Sequence, residues 1–168
     1  KVKSVGLSNF SMKDIIAVSE IAKKNGVKIT GIQNHFSLIH YNDEQKKIVK
    51  WCQDNDVIYF AYMVLEQGAL SGKYDYKNSF FGKKKFKQID PLIKLIRELG
   101  KKYKVSPAQI PIAWTISKGV VPIVGLTSPS HVKGLVEGVN VSLSADDINR
   151  LEKTAEETHL VFKTSWEP

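Results

Sequence analysis

The sequence predicts an α/β fold in which short parallel strands alternate with helices. Four short apolar runs recur along the chain, and segments with the periodicity of amphipathic helices separate them. Strands joined in this way pair in parallel through right-handed crossovers. A doubly wound sheet and a (β/α)8 barrel both fit the pattern, and four units make only half of such a barrel.

Capping residues mark the helices of the first two units. Ser11, followed three residues later by Asp14, has the spacing of a helix N-cap, and Asn25-Gly26 is typical of a helix end. Asn42 begins a second helix in the same way. The third strand is apolar throughout, so we expect both of its faces to be buried. The first three strands are predicted at residues 1–6, 27–33 and 57–62.

The alternation is interrupted after the third strand, where a loop of about 25 residues follows Tyr62. A helix from about Asp90 comes next, and Ser106-Pro107 begins another, since proline is favoured in a first helical turn. The fourth strand is predicted at residues 120–125. The last two helices begin at Ser128-Pro129 and at Ser144.

The composition limits the classes of protein to consider. The length of 168 residues suits one domain or a large piece of a bigger one, and no second domain is expected. No apolar stretch reaches the roughly 20 residues of a membrane helix, and no secretory signal opens the chain, so no membrane partner is expected. The lone cysteine, Cys52, fits a core thiol in the reducing cytoplasm. The net charge of +8 is scattered along helix faces without a base-stacking motif, so nucleic acid is not an expected partner.

Polar and aromatic side chains stand at the carboxyl ends of the predicted strands, where α/β folds place their chemistry. Ser8, Asn9 and Gln33 carry hydroxyl and amide groups, which both donate and accept hydrogen bonds. They match a flat ligand with its own carboxamide, and the Tyr62 ring can stack on it. Any one of these residues could simply cap a helix or close a turn, but three strands together favour a binding site. No carboxylate or histidine pair is expected at these strand ends.

The segment QGALSGKYDYK follows the third strand and leaves two interpretations open. Exposed backbone amides at Gly68 and Gly72, with Lys73 beside them, suit a pyrophosphate. Glycines also simply permit tight turns. The helix that begins at Ser128-Pro129 offers a second anion site, because free amides at a helix start attract phosphate.

Four segments, taken in order, resemble the last four βα units of the aldo-keto reductases: VGLSNF, IQNHFSLI, FAYMVLEQGALSGKY and VPIVGLTSPSHV. The resemblance covers essentially the whole chain. It implies the TIM-barrel fold, represented here by about half a barrel of four parallel strands with crossover helices. It also implies an oxidoreductase that binds NADPH without a Rossmann motif and transfers hydride to an aldehyde or ketone. The implied partners are a small carbonyl substrate and the N-terminal half of the barrel.

The resemblance implies cofactor-binding residues in all four units. The nicotinamide carboxamide would be held by Ser8, Asn9 and Gln33. The aromatic ring that stacks on the nicotinamide, leaving its other face to the substrate, would be Tyr62. The loop covering the pyrophosphate would contribute Met63, Leu65, Gln67, Gly68, Leu70 and Lys73. The adenosine ribose and its 2′-phosphate would meet Gly125, Thr127, Ser128 and His131.

Three positions depart from the family pattern. The family usually has Ser-Pro-Leu at Met63-Val64-Leu65, a basic residue near the 2′-phosphate where this chain has His131, and a Glu-Asn pair at Gly134-Leu135. Each change removes a charge or a hydrogen bond worth about 1 kcal/mol. The choice between NADPH and NADH therefore stays open.

The family's catalytic residues have no counterpart in this sequence. An Asp, a Tyr acid, a Lys and a His come from the first half of the family's barrel, where the lysine tunes the tyrosine as general acid. We interpret His35, His40 and His159 as packed or surface residues, not as replacements. The 168 residues alone are expected to be inactive. The alternative is a non-catalytic cofactor-binding module resembling the potassium-channel β-subunits.

Overall fold

The computed structural model describes residues 1–74 and 83–160. Four parallel strands form one sheet in the order β1-β2-β3-β4. This order follows the chain without reversal, as in consecutive units of a barrel, whereas a doubly wound sheet reverses its order at a switch point. The strands are β1 (Val5–Ser8), β2 (Ile29–His35), β3 (Ile58–Tyr62) and β4 (Val121–Pro122).

Six α-helices and one 3₁₀ helix lie in the described part of the chain. Three N-caps predicted from the sequence are confirmed, because the side chains of Ser11, Asn42 and Ser144 each accept a hydrogen bond from the backbone N–H three residues on. The helices are α1 (Met12–Lys24), α2 (Asp43–Asp54), α3 (Lys83–Tyr103), α4 (Gln109–Ser117), α5 (Pro129–Val139) and α6 (Ala145–Glu156), and the 3₁₀ helix is Glu66–Ser71.

Several predicted boundaries are wrong. Strands β1 and β2 each end two residues later than predicted, at Ser8 and at His35. Helix α3 begins at Lys83, not near Asp90, and Pro91 lies inside it. Ile89, which precedes the proline, is fully buried, so core packing extends the helix beyond the point where proline favours a start. Helix α4 begins at Gln109, because residues 107–108 form a turn. Strand β4 has two residues where six were predicted, and its pairing ends at the Ile123 N–H, 2.7 Å from the Ala61 carbonyl oxygen. Residues 75–82 of the predicted loop lie outside the described residues.

The helices cover only one face of the sheet. Side chains alternate between the two faces of a strand, and on the covered face Ile32, Tyr59 and Ala61 are buried in the core. On the other face, which we call the open face, Ile58 is 51% exposed. The prediction that the third strand is buried on both faces is therefore wrong, because no described helix or loop covers Ile58 on the open face. In a closed barrel this face points to the interior.

Cys52 lies in the core between α2 and the sheet, as predicted. Its side chain is buried, and burial raises the pKa of the thiol to about 12. A thiol with so high a pKa is protonated at neutral pH and unreactive. None of the described helices is long and apolar enough to cross a membrane.

A buried carboxylate, Asp147, joins α6 to α3. Its Oδ2 accepts hydrogen bonds from Lys102 Nζ at 2.6 Å, Tyr103 Oη at 2.6 Å and Ser144 Oγ at 2.9 Å. Its Oδ1 accepts one from Arg150 at 3.2 Å. Burial raises the pKa of Asp147, but the hydrogen bonds from Lys102, Tyr103 and Ser144 together outweigh it and hold this pKa well below its usual range.

Candidate functional site

A clamp from β2 shapes the turn after β1. Asn9 has a φ of 59°, in the left-handed region that asparagine tolerates better than most residues. Its backbone N–H donates to the Gln33 carbonyl at 3.1 Å and to Asn34 Oδ1 at 2.8 Å. Asn34 is buried and also bonds the N–H and the C=O of Phe10. The clamp fixes the end of β1 against the end of β2.

The four residues predicted to hold a nicotinamide lie together at the carboxyl edge of the sheet. Ser8 and Gln33 are register partners, and both line a hollow of about 600 Å³ on the open face. Tyr62 Oη donates to Asn9 Oδ1 at 2.7 Å, and this hydrogen bond joins the end of β3 to the residue that follows β1, across the intervening strand β2. The Asn9 Nδ2 amide donates to none of the described residues, so it is available to a ligand carbonyl.

The segment after β3 turns sharply through left-handed backbone. Met63, Glu66 and Gln67 have φ values of 63°, 46° and 51°. Gly72 has a φ of 71°, and a Cβ there would stand 2.5 Å from the Pro107 side chain, so only glycine fits. The turns bring the start of the loop, at Leu65, and its end, at Lys73, to one cleft.

The cleft, of about 780 Å³, lies between this loop and the segment that leads into α5. Its volume is within the usual range for small-molecule sites. It joins residues predicted for the pyrophosphate with residues predicted for the adenosine, although the two groups are far apart in sequence. The predicted residues that line it are Leu65, Gly68, Lys73, Gly125, Thr127 and His131.

The remaining predicted residues do not line the cleft. Leu70 is fully buried and packs in the core. Met63 comes directly after β3, Gln67 is exposed on the 3₁₀ helix, and Ser128 is the N-cap residue of α5. The side chain of Leu70 therefore anchors the loop to the core, and only the Leu70 backbone could contact a ligand.

Two lysines that the sequence did not single out also line the cleft. Lys104 follows α3 with a φ of 55°, and Lys133 lies on α5. With Lys73 and His131 they surround a cleft that contains one carboxylate, Glu137, among its lining residues. The donor set suits an elongated anion. Nothing in the sequence near either lysine marks it, because the two come together only when α3 and α5 pack around α4.

The strand ends also hold acidic and histidine side chains, contrary to the prediction. Strand β2 runs on to His35, and His35, His40 and Glu66 meet there. These residues are considered below. Among the described residues, no group of three or more His, Cys, Asp or Glu side chains is placed to hold a metal ion.

Comparison with known proteins identifies relatives over most of the chain. The Aldo/keto reductase family profile matches residues 1–156. The chloroplastic pyridoxal reductase of Arabidopsis thaliana is 31% identical over 94% of this chain and 45% of its own length. The NADPH-dependent alpha-keto amide reductase of Saccharomyces cerevisiae is 27% identical over 99% of this chain and 48% of its own. The chain spans about half the length of these curated relatives.

Solved structures agree on the fold. The glycerol dehydrogenase of Gluconobacter oxydans matches with a TM-score of 0.81 at 20% identity, over 99% of this chain and 53% of that one. The thermostable aldo-keto reductase Tm1743 matches with a TM-score of 0.68 at 20% identity, over 90% of this chain and 48% of that one. Four parallel strands with their helices correspond to half of the TIM barrel. By sequence and by fold, this chain belongs to the aldo/keto reductase family.

Proposed function

We propose that the chain is the cofactor-binding C-terminal half of an NADPH-dependent oxidoreductase that reduces the carbonyl group of an aldehyde or ketone. The observation that carries the proposal is the Tyr62–Asn9 hydrogen bond beside Ser8 and Gln33. It places an aromatic ring and three hydrogen-bonding side chains at one edge of the sheet. The lysine-lined cleft begins three residues further along the chain, at Leu65.

The strand ends would hold the nicotinamide. The Asn9 and Gln33 amides and the Ser8 hydroxyl would bond its carboxamide, which restrains rotation of the ring about its bond to the ribose. The Tyr62 ring, fixed by its hydroxyl, would cover one face and leave the other to the substrate. When bound, the nicotinamide supplies the hydride. The side chains of this half orient the ring and exclude water from its covered face.

The cleft would hold the phosphates and the adenosine. Lys73, Lys104 and Lys133, together with His131, would meet the pyrophosphate and the 2′-phosphate. The lysines would replace the charge lost where His131 stands for the family's usual basic residue. This electrostatic balance favours NADPH over NADH, which lacks the 2′-phosphate.

The proton donor would come from the other half of the barrel. The family's Asp, Tyr, Lys and His are expected in an N-terminal half that covers the open face of the sheet, so the 168 residues alone would be inactive. A non-catalytic module resembling the potassium-channel β-subunits is the alternative. It would bind the cofactor without turning over aldehydes or ketones, and NADPH oxidation by the complete gene product with a panel of these substrates distinguishes the two. The reducing cytoplasm is the compartment we propose.

Titration of NADPH into the complete gene product, followed by quenching of protein fluorescence, tests the proposal. We expect saturable binding with a Kd below about 1 mM, the upper end of ordinary cofactor and substrate affinities. Asn9→Ala removes the amide and the Tyr62 anchor and should weaken binding. Asn55→Ala, which alters an exposed asparagine at the end of α2, is the control. A lack of saturation at millimolar NADPH would overturn the proposal.

A further inference from the structure

A buried polar cluster lies next to Tyr62, outside the residues assigned above to the cofactor. Glu66, at the start of the 3₁₀ helix, is fully buried. Its Oε1 lies 2.7 Å from His35 Nε2 and accepts a hydrogen bond from Ser37 Oγ. His35 and Ser37 are themselves buried. We call these three residues the Glu66 cluster.

Two features of Glu66 are unfavourable for stability. Glu66 Oε2 is buried and has no hydrogen-bond partner among the described residues, and an unsatisfied buried acceptor is more costly than an apolar group of the same shape. The backbone of Glu66 is also left-handed, with a φ of 46°, a conformation that is unfavourable for glutamate. Stability does not explain a carboxylate at this position. Such costs concentrate where a structure maintains a functional geometry.

The cluster contacts the predicted nicotinamide platform through one ring. His35 pairs with Tyr62 in the register of β2 and β3, and the two ring centroids are 5.5 Å apart at an interplanar angle of 26°. The His35 ring also stacks on His40, with centroids 3.9 Å apart and planes 1° from parallel. Glu66 holds the Nε2 edge of the same ring. The His35 ring is therefore fixed at its edge and by the rings that it contacts.

We propose that Glu66 is a positioning residue for the nicotinamide end of the cofactor. By holding His35 Nε2, it sets the plane of the imidazole against which Tyr62 packs, and so the plane of the Tyr62 ring. The Asn9 bond fixes the Tyr62 hydroxyl, and the Glu66 cluster fixes the tilt of its ring. Glu66 does not touch the cofactor. This inference rests on the proposed function and adds a residue to the same site.

Two ligands separate positioning from folding. NADPH requires the nicotinamide platform, whereas adenosine 2′,5′-bisphosphate occupies only the lysine-lined cleft. Glu66→Leu removes the carboxylate and keeps a similar side-chain volume. In the complete gene product it should weaken NADPH binding about tenfold, the usual effect of one lost hydrogen bond. The affinity for the bisphosphate should stay within about twofold of the wild type. The fluorescence of bound NADPH should also change, because it reports the surroundings of the nicotinamide ring.

A conservative variant and a second position complete the test. Glu66→Gln keeps an oxygen that accepts from Ser37 and His35, so it should bind NADPH within about threefold of the wild type. His35→Gln keeps a donor for Glu66 but removes the ring, and it should reproduce the selective loss seen in Glu66→Leu. If Glu66→Leu does not fold, the NADPH and bisphosphate affinities of His35→Gln still test the proposal.

Two results would overturn the inference. Variants that bind NADPH as the wild type does would show that Tyr62 is positioned without Glu66. Variants that lose both ligands equally would show a structural role only. A wild-type protein that binds the bisphosphate but not NADPH would instead refute the proposed function, so the two failures are distinguishable.

Discussion

Asp147 and Glu66 are both carboxylates fully withdrawn from solvent, but their surroundings differ. Asp147, between α3 and α6, has partners on both oxygens, including the cations of Lys102 and Arg150. Glu66, at the carboxyl ends of β2 and β3, has partners on one oxygen only. A buried carboxylate with hydrogen bonds on both oxygens stabilises the contact between two helices. One with hydrogen bonds on a single oxygen is better explained by a role in the neighbouring binding site. The helix interface should therefore control stability, and the strand ends should control ligand binding.

The largest expected effect is at the helix interface. Asp147→Asn removes the charge that pairs with Lys102 and Arg150, and it should lower the free energy of unfolding of the complete gene product by about 3 kcal/mol. Chemical denaturation measures this change. Asp146→Asn, at the exposed neighbouring residue of the same helix turn, is the matched control. Equal stability of the two variants would contradict the assignment, as would a loss of NADPH affinity in the folded Asp147→Asn protein.

The same carboxylate predicts a pH dependence. Because the pKa of Asp147 is lower in the folded state than the ordinary 3.8, the unfolded chain takes up the proton first as the pH falls. The stabilisation is therefore complete at neutral pH and is lost progressively below about pH 4. Denaturation midpoints of the wild type and of Asp147→Asn should differ by a constant amount between about pH 5 and 7 and converge at lower pH. A difference that grows on acidification would refute the linkage.

Two tyrosines of β3 offer a matched test of the strand ends. Tyr62→Phe removes the hydrogen bond to Asn9 and should weaken NADPH binding about tenfold, because the ring is no longer held by its hydroxyl. Tyr59→Phe removes a hydrogen bond of similar length, 2.6 Å, to Gln45 on the covered face, and it should affect stability only. Fluorescence titration and denaturation of both variants distinguish the two faces. Equal affinities in the two variants would contradict the proposed site.

The cleft should show a smaller, charge-dependent effect. Lys133→Ala should reduce the preference for NADPH over NADH about fivefold, because one surface charge near a phosphate contributes about 1 kcal/mol. Lys101→Ala, at an exposed lysine of α3 that does not line the cleft, should leave the preference unchanged. The ratio of the dissociation constants for NADH and NADPH, measured at low and at high salt, gives this preference for each variant. An equal change in both variants would indicate a general effect of charge.

The smallest expected change concerns the stability of the Glu66 variant. Glu66→Leu removes a buried oxygen that has no partner, which favours the variant, but it also removes the hydrogen bonds with Ser37 and His35, which disfavours it. Because the two effects oppose each other, its free energy of unfolding should stay within about 1 kcal/mol of the wild type. This small change contrasts with the large loss expected for Asp147→Asn. If Glu66→Leu destabilised the protein as strongly as Asp147→Asn does, the contrast between the two carboxylates would not hold.

Much of the fold was predictable because its signals are local. The N-caps at Ser11, Asn42 and Ser144 bond backbone groups only three residues away, so a short stretch of sequence contains both partners. The alternation of strands and helices is equally local, and it predicted parallel pairing. The start of α3 was missed because the buried side chain of Ile89 outweighs the local preference of Pro91.

The roles of the individual site residues remain predictions, but their grouping was readable in part. The ordered motifs pointed to Ser8, Asn9, Gln33 and Tyr62, and the structure brings these four to one edge of the sheet. Lys104 and Lys133 were not singled out, because a lysine in a cleft and a lysine on a surface look alike in sequence. Glu66 had no signal either, since a glutamate is rarely buried.

The sequence by itself determined the order of the elements, the starts of most helices and the family of the chain. Only the tertiary structure decided which face of β3 is covered, which lysines share a cleft and that Glu66 meets the His35 ring that packs on Tyr62. The physical reason is distance along the chain. Caps and strands depend on neighbours a few residues away, whereas burial and site geometry depend on packing between segments that meet only in the folded protein.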